Sequence, residues 1–371
     1  MPPNEAEMIH FVVGTRAQLF KLAPVMLECE GRDLDWRWVY TAQHRDTIER
    51  TAELFRLPPP DHVVVGWKTE AKSMGRMGLW FARMLTSLLR SREILGGSTG
   101  ARHVVLTHGD TFTTWFGALF GRLTRTRVMH VESGLRSFNL RRPFPEELNR
   151  LVTFRLAHYY ACPGEWAVAN LKDRRGVKLD TGSNTQVDTL RFGLSQLEDV
   201  DFDVPGTPYV VVSLHRYENV FDRDRLVRIV EELEGIAAAG FTLLFVQHPA
   251  TKLQLEKLGL RGRLESNQHI SLLPRLEYLP FLKAIRSAQF VVTDGGGNQE
   301  ELSYLGKPTL ILRDETERHE GLGQNAVLAG LDHQRIESFV REYASYARPE
   351  ALPQGSPSAV IVDFLEARGF G

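Results

Sequence analysis

Short β-branched apolar runs alternate with helix-like stretches along the whole chain, and this alternation constrains the fold more than any other feature. Met8–Val13, Arg37–Tyr40, His103–Thr107, Arg127–Met129, Pro208–Leu214, Phe241–Val246, Gln289–Thr293 and Thr309–Leu312 each read as a strand, with a further short one near Tyr160-Ala-Cys162. Between them lie stretches with helical periodicity, such as Gln18–Cys29 and Asn149–Tyr159. Alternation of this kind builds parallel sheets with helices on both faces. At 371 residues there is room for two such domains with sizeable cores. The expected fold class is therefore α/β, with two Rossmann-like domains facing each other across a cleft, residues 1–175 and 176–371. The linker is expected within Asp173–Asn184. A last helix, about 358–368, follows the Pro/Gly-rich stretch Pro349–Pro357 and is expected to pack back on the N-terminal domain.

Composition excludes several classes of function. Hydrophobic residues at 43% and charged residues at 25% are those of a globular protein, and a net charge of −1 leaves no electrostatic footprint for nucleic acid or an anionic membrane. No apolar run approaches the roughly 20 residues that a membrane helix needs. The opening Met-Pro-Pro-Asn-Glu-Ala-Glu is acidic rather than basic-then-apolar, unlike a signal peptide. Two cysteines, Cys29 and Cys162, make no disulfide framework. The expectation is a cytoplasmic protein with no nucleic-acid or membrane partner.

Charged side chains crowd into Leu106–Arg150. This segment reads His108-Gly-Asp110-Thr, His130-Val-Glu132-Ser-Gly-Leu-Arg136 and Pro145-Glu146-Glu147-Leu-Asn-Arg150. Asp110 and Glu132 fall just past two of the strands, on the carboxyl rim of the sheet, where open α/β folds bind ligands. Asp110, Glu132 and Glu146 could act as acids and bases, as metal ligands, or as partners of Arg136, Arg141, Arg142 and Arg150. No His-Glu-x-x-His and no cysteine pair is present, so no metal and no cofactor are expected. The absence of a Gly-x-Ser-x-Gly elbow argues against a serine hydrolase.

Other motifs sit at equivalent places. Gly14-Thr15-Arg16 lies between a strand and a helix, which suits either a tight turn or an anion site built from backbone N–H groups and a guanidinium. Gly295-Gly296-Gly297 follows another strand and opens a helix, so its backbone can approach a phosphate closely, and Glu301 one turn on could accept from a ribose hydroxyl. This is not G-x-G-x-x-G, which argues against a nicotinamide enzyme. His215 clusters with Arg216, Glu218 and Asn219 past a strand end and is expected to meet the ligand. Lys21, by its pattern alone, reads as a surface lysine.

In order, Gly14-Thr-Arg16…Lys21, Thr41-Ala-Gln43-His44-Arg45, the three acidic motifs, Thr181-Gly-Ser-Asn-Thr, His215-Arg-Tyr-Glu-Asn, Asp294-Gly-Gly-Gly-Asn-Gln-Glu-Glu301 and Arg313-Asp-Glu-Thr-Glu-Arg318 resemble the UDP-N-acetylglucosamine 2-epimerases of the non-hydrolysing bacterial type, over about residues 10–330. The resemblance implies a GT-B-like fold, a UDP-sugar substrate held mainly by the C-terminal domain, and a homodimer. It implies interconversion of UDP-GlcNAc and UDP-ManNAc by elimination of UDP to 2-acetamidoglucal and re-addition. Asp110, Glu132 and Glu146 match the catalytic carboxylates, His215, Lys21 and Arg150 further active-site positions. Arg16, His215 and Gly295–Gly297 match the diphosphate site, Phe281 the uracil-contacting segment and Glu301 the ribose acid. Gln43 and His44 match a region tied to activation at a second, allosteric site, although Asp46 adds a carboxylate there that would repel a second diphosphate. The family usually has Pro-Glu where this chain has Ala17-Gln18, and serine where it has Gly295. A hydrolysing relative releasing ManNAc and UDP, and a GT-B glycosyltransferase, are the alternatives.

Overall fold

Thirteen strands form two all-parallel sheets in the computed structural model, which describes residues 7–42, 45–66, 74–140 and 145–371. The first sheet contains β1 (Ile9–Val13), β2 (Trp36–Tyr40), β3 (His62–Val63), β4 (Val104–His108), β5 (Arg127–Val131), β6 (Tyr159–Cys162) and β7 (Val177–Asp180), in the order β3-β2-β1-β4-β5-β6-β7. The second contains β8 (Tyr209–Ser213), β9 (Thr242–Val246), β10 (Ile270–Leu273), β11 (Val291–Thr293), β12 (Thr309–Ile311) and β13 (Ala326–Leu328), in the order β10-β9-β8-β11-β12-β13. Each is a doubly wound sheet whose strand order reverses once, between β1 and β4 and between β8 and β11. Such a reversal leaves a crevice at the carboxyl ends of the two central strands, the usual ligand position in this architecture.

Two compact units result. The first runs through Thr189 and takes back Gln354–Gly371; the second is Leu190–Pro353. The boundary therefore falls later than residue 175. Asp173–Asn184, expected to be a linker, instead carries β7, whose Val177 and Asp180 register with Tyr159 and Cys162 of β6. The last helix, Pro357–Glu366, lies in the first unit, where Arg32 bonds Asp363 at 2.6 Å and Glu366 at 2.5 Å.

β1 and β4 are buried along their whole length, as central parallel strands must be. The helix Phe112–Leu123 lies very close to this sheet, because a Cβ at Gly121 would come within 2.5 Å of Val128 Cγ2. The second unit has its own core of aliphatic and aromatic residues, including Val210, Val212, Leu233, Phe290 and Phe339. Both cysteines are buried free thiols, and burial pushes each pKa up to about 12. Among the described residues no helix is long and apolar enough to cross a membrane.

Candidate active site

The site in the first unit is assembled at the β1/β4 reversal. Thr15 caps the helix Arg16–Gly31 in a reciprocal capping box with Gln18. Gln18 does more than cap. Its Oε1 accepts from the backbone N–H of Gly14 at 2.9 Å and of Thr15 at 3.2 Å. Its Nε2 donates to His108 O at 2.8 Å and Thr114 Oγ1 at 3.1 Å. The backbone anion site suggested for this turn is therefore corrected: those two N–H groups are occupied by a side chain. The fully used carboxamide instead ties the turn after β1 to the turn after β4, which carries Asp110.

Asp110 lies between β4 and the helix Phe112–Leu123. Its carboxylate accepts from Arg150 Nη2, and its backbone oxygen accepts from Asn149 Nδ2 at 2.8 Å. His130, fully buried, holds the preceding residue: its Nε2 donates to Gly109 O at 2.7 Å, and its Nδ1 pairs with Ser133 Oγ at 2.9 Å. Burial pushes the His130 pKa down to about 4, so the ring is neutral at physiological pH. Asp110 is thus fixed from three directions.

Glu132 follows β5 with a φ of 61°, in the left-handed region that a non-glycine residue adopts at a cost of about 1–2 kcal/mol. Its carboxylate accepts from Lys21 Nζ and Asn184 Nδ2, and His108 Nε2 lies 3.5 Å away. The Lys21 and Glu132 side chains are only 10% and 7% exposed. The surface reading of Lys21 is therefore wrong. From Gln18 to Met26 its helix has no solvent face, since Leu19, Phe20, Leu22, Ala23, Val25 and Met26 are all buried. Desolvation lowers the His108 pKa, which favours a neutral imidazole beside the ion pair.

The helix Glu146–Leu156 separates the two adjacent glutamates. Glu147 is fully buried and accepts from Arg136 Nε and from the backbone N–H of Ser137 at 3.1 Å, with Arg150 Nη1 at 3.6 Å. It is a structural anchor that orients Arg150 towards Asp110. Glu146, in the first turn, is only partly buried. Arg16 leans over the Phe20 ring, its guanidinium carbon 5.0 Å from the centroid. Gln43 and His44 lie outside the described residues.

The second unit presents its own set at the β8/β11 reversal. Asp294, completely buried, accepts from the backbone N–H of His215 at 2.9 Å and of Arg216 at 3.1 Å, and from Asn219 Nδ2 at 3.0 Å. This one carboxylate shapes the whole loop after β8, and His215 Nδ1 stands 3.5 Å from it. Desolvation lowers the His215 pKa against the opposing Asp294 charge, although 40% of the side chain meets solvent in this unit. Gly295 caps the helix Gly296–Tyr304. A Cβ at Gly295 would come within 2.7 Å of His215 Cε1, so the absent serine makes room for the imidazole. A Cβ at Gly297 would meet nothing within 4 Å. The positive helix end is left unshielded there, which suits an anion.

Glu301 lies in the second turn of that helix and accepts from Tyr278 Oη at 2.8 Å. Phe281, half-buried, is one turn beyond Tyr278 in the helix Tyr278–Ser287. Arg318 bonds the buried Glu300 at 2.6 Å. Pattern reasoning missed Gln18, His108, Asn184, Glu147, Tyr278 and Asp294 as functional supports. Only Gln18 had a local signal, as the third helical residue after a threonine cap.

A UDP-N-acetylglucosamine 2-epimerase of Methanocaldococcus jannaschii is 33% identical over 363 residues, covering 94% of this chain and 95% of that protein. One from Neisseria meningitidis is 30% identical, covering 95% of this chain and 98% of its own length. A crystal structure of the M. jannaschii enzyme in complex with UDP-GlcNAc and UDP superposes with a TM-score of 0.82 at 29% identity, covering 97% of this chain and 99% of that one. Residues 27–366 match the family model for UDP-N-acetylglucosamine 2-epimerase. With two Rossmann-like α/β units of the GT-B-like class, the chain belongs to the UDP-N-acetylglucosamine 2-epimerase family.

Proposed function

We propose that the protein is a non-hydrolysing UDP-GlcNAc 2-epimerase that interconverts UDP-GlcNAc and UDP-ManNAc. The second unit holds UDP: the open end of the helix at Gly295–Gly297, together with His215, takes the diphosphate, Glu301 the ribose and Phe281 the uracil. The carboxylates of the first unit act on the sugar. One removes the proton from C2, the electron pair forms the C1=C2 bond, and the C1–O bond breaks as UDP leaves with its charge. The diphosphate oxygen then returns to C1, and a second acid delivers a proton to the opposite face of C2. Because the C2 proton is weakly acidic, stabilising the departing diphosphate matters as much as the base.

The observation that carries this reading is the pairing of both central acids with buried cations, Glu132 with Lys21 and Asp110 with Arg150. Each pair sets a carboxylate beside a cation at the crevice end of the sheet, where a base and a charge-stabilising group are both needed. A glycosyltransferase, which moves the sugar to an acceptor, has no need of this set. Two of the departures from the family pattern are absorbed locally: Gln18 is turned into the protein, and Gly295 accommodates His215. Chromatography of products formed from UDP-GlcNAc tests the reading. UDP-ManNAc with total UDP-sugar conserved is expected; free ManNAc and UDP accumulating together would overturn it in favour of hydrolysis.

A further inference from the structure

Tyr278 is the first residue of its helix, and its phenol donates to Glu301 Oε1 at 2.8 Å. Two further observations show that this contact is held firmly. The ring is buried, and Gly193 of the neighbouring helix presses against it: a Cβ there would come within 2.9 Å of Tyr278 Cε1 and 2.6 Å of Leu282 Cδ2. Burial and the Glu301 charge raise the Tyr278 pKa well above the ordinary phenol value, so the hydroxyl remains a donor throughout the physiological range. Glu301 itself is buried in the second turn of its helix. Phe281, one turn from Tyr278, belongs to the same rigid helix.

We propose that Tyr278 is a positioning residue for sugar recognition in the nucleotide: it fixes the Glu301 carboxylate in the orientation that reads a ribose hydroxyl, and so sets the preference for ribonucleotides over 2′-deoxyribonucleotides. This rests on the reading of Glu301 as the ribose acid. The physical basis is asymmetric. A carboxylate that meets a ligand hydroxyl gains a charge-assisted hydrogen bond, whereas a ligand lacking that hydroxyl forfeits the bond and still displaces water from the carboxylate, which costs more than a neutral bond is worth. Discrimination of this kind depends on the acceptor being held still. A carboxylate free to change rotamer turns away from the missing partner and loses selectivity. The Gly193–Tyr278–Glu301 contacts supply that restraint through side chains that need not touch the ligand.

The test compares binding of UDP and 2′-deoxy-UDP by calorimetry to the full-length protein, its Tyr278→Phe and Glu301→Ala variants, and Gly193→Ala, in which the added methyl displaces the ring. The wild type is expected to prefer UDP by about tenfold or more. Tyr278→Phe keeps the ring and its packing; it is expected to reduce that ratio to about two- or threefold, with 2′-deoxy-UDP affinity nearly unchanged and the melting temperature close to wild type. Gly193→Ala should reduce the ratio in the same direction. If Glu301→Ala abolishes the preference while Tyr278→Phe leaves it intact, the Tyr278 proposal is overturned and the ribose reading stands. If neither variant alters the ratio, or the protein binds neither nucleotide, the reading of Glu301 fails and the proposal with it.

Discussion

Replacing Lys21 by methionine removes the cation from a buried ion pair of the candidate site while keeping much of the side-chain volume. Lys21 and Glu132 are 10% and 7% exposed, so water cannot take over the role of the ammonium. Removing one partner of a buried pair costs about 3–5 kcal/mol. Asn184 continues to donate to Glu132, which places the expected loss near the lower end, about 3 kcal/mol. Urea unfolding followed by circular dichroism reads this loss as a fall in midpoint of about 1 M. The double variant Lys21→Met/Glu132→Gln removes the stranded charge along with its partner and should recover most of the lost stability. Under the proposed function both variants should lack epimerase activity, which separates the stability of the pair from the catalytic use proposed for it. The reasoning is refuted if Lys21→Met costs less than about 1 kcal/mol and the double variant is no more stable.

The adjacent glutamates should behave oppositely: Glu147→Gln unbalances Arg136 and Arg150 and lowers the melting temperature markedly, whereas Glu146→Gln leaves it nearly unchanged and lowers turnover, as paired melting and rate measurements can check. Asp294→Asn replaces the acceptor that gathers His215, Arg216 and Asn219, so UDP affinity should fall at least tenfold by calorimetry; retained affinity would contradict its role in shaping that loop. Burial pushes His10 and His130 down to about 4 in the folded protein, below their unfolded value near 6.5. The unfolded chain therefore binds more protons between these values, and stability should decline as pH falls from about 6.5 towards 4, by roughly 2–3 kcal/mol for each ring; a flat profile in urea titrations over that window would count against it. At Gly134, with a φ of 89°, a Cβ would lie 2.2 Å from Ala167 O, so Gly134→Ala should cost more than about 2 kcal/mol in chemical denaturation.

The central strands were legible because both of their faces are buried, which writes continuous β-branched runs into the sequence at Ile9–Val13 and Tyr209–Ser213. The strands that escaped notice, β3, β7, β10 and β13, are the four sheet edges. Val177–Asp180 shows why: with partly exposed ends and a lysine inside, it looks like a linker until its pairing with β6 is seen. The acids Asp110 and Glu132 were legible from their position just past strand ends. Lys21 was not, because helical spacing does not reveal that a helix is covered on all sides. Nor was the structural role of Glu147, since adjacent glutamates differ only in which way the helix points them. The Gln18 and Asp294 contacts join segments about 80 to 90 residues apart, which no local pattern encodes.

The most direct measurement follows the C2 proton. Incubated with UDP-GlcNAc in deuterated water and observed by proton NMR, the protein should place deuterium at C2 of both UDP-GlcNAc and UDP-ManNAc while the UDP-sugar pool persists. Epimerisation without C2 exchange, or accumulation of free ManNAc, would contradict reversible proton transfer at C2 with UDP retained.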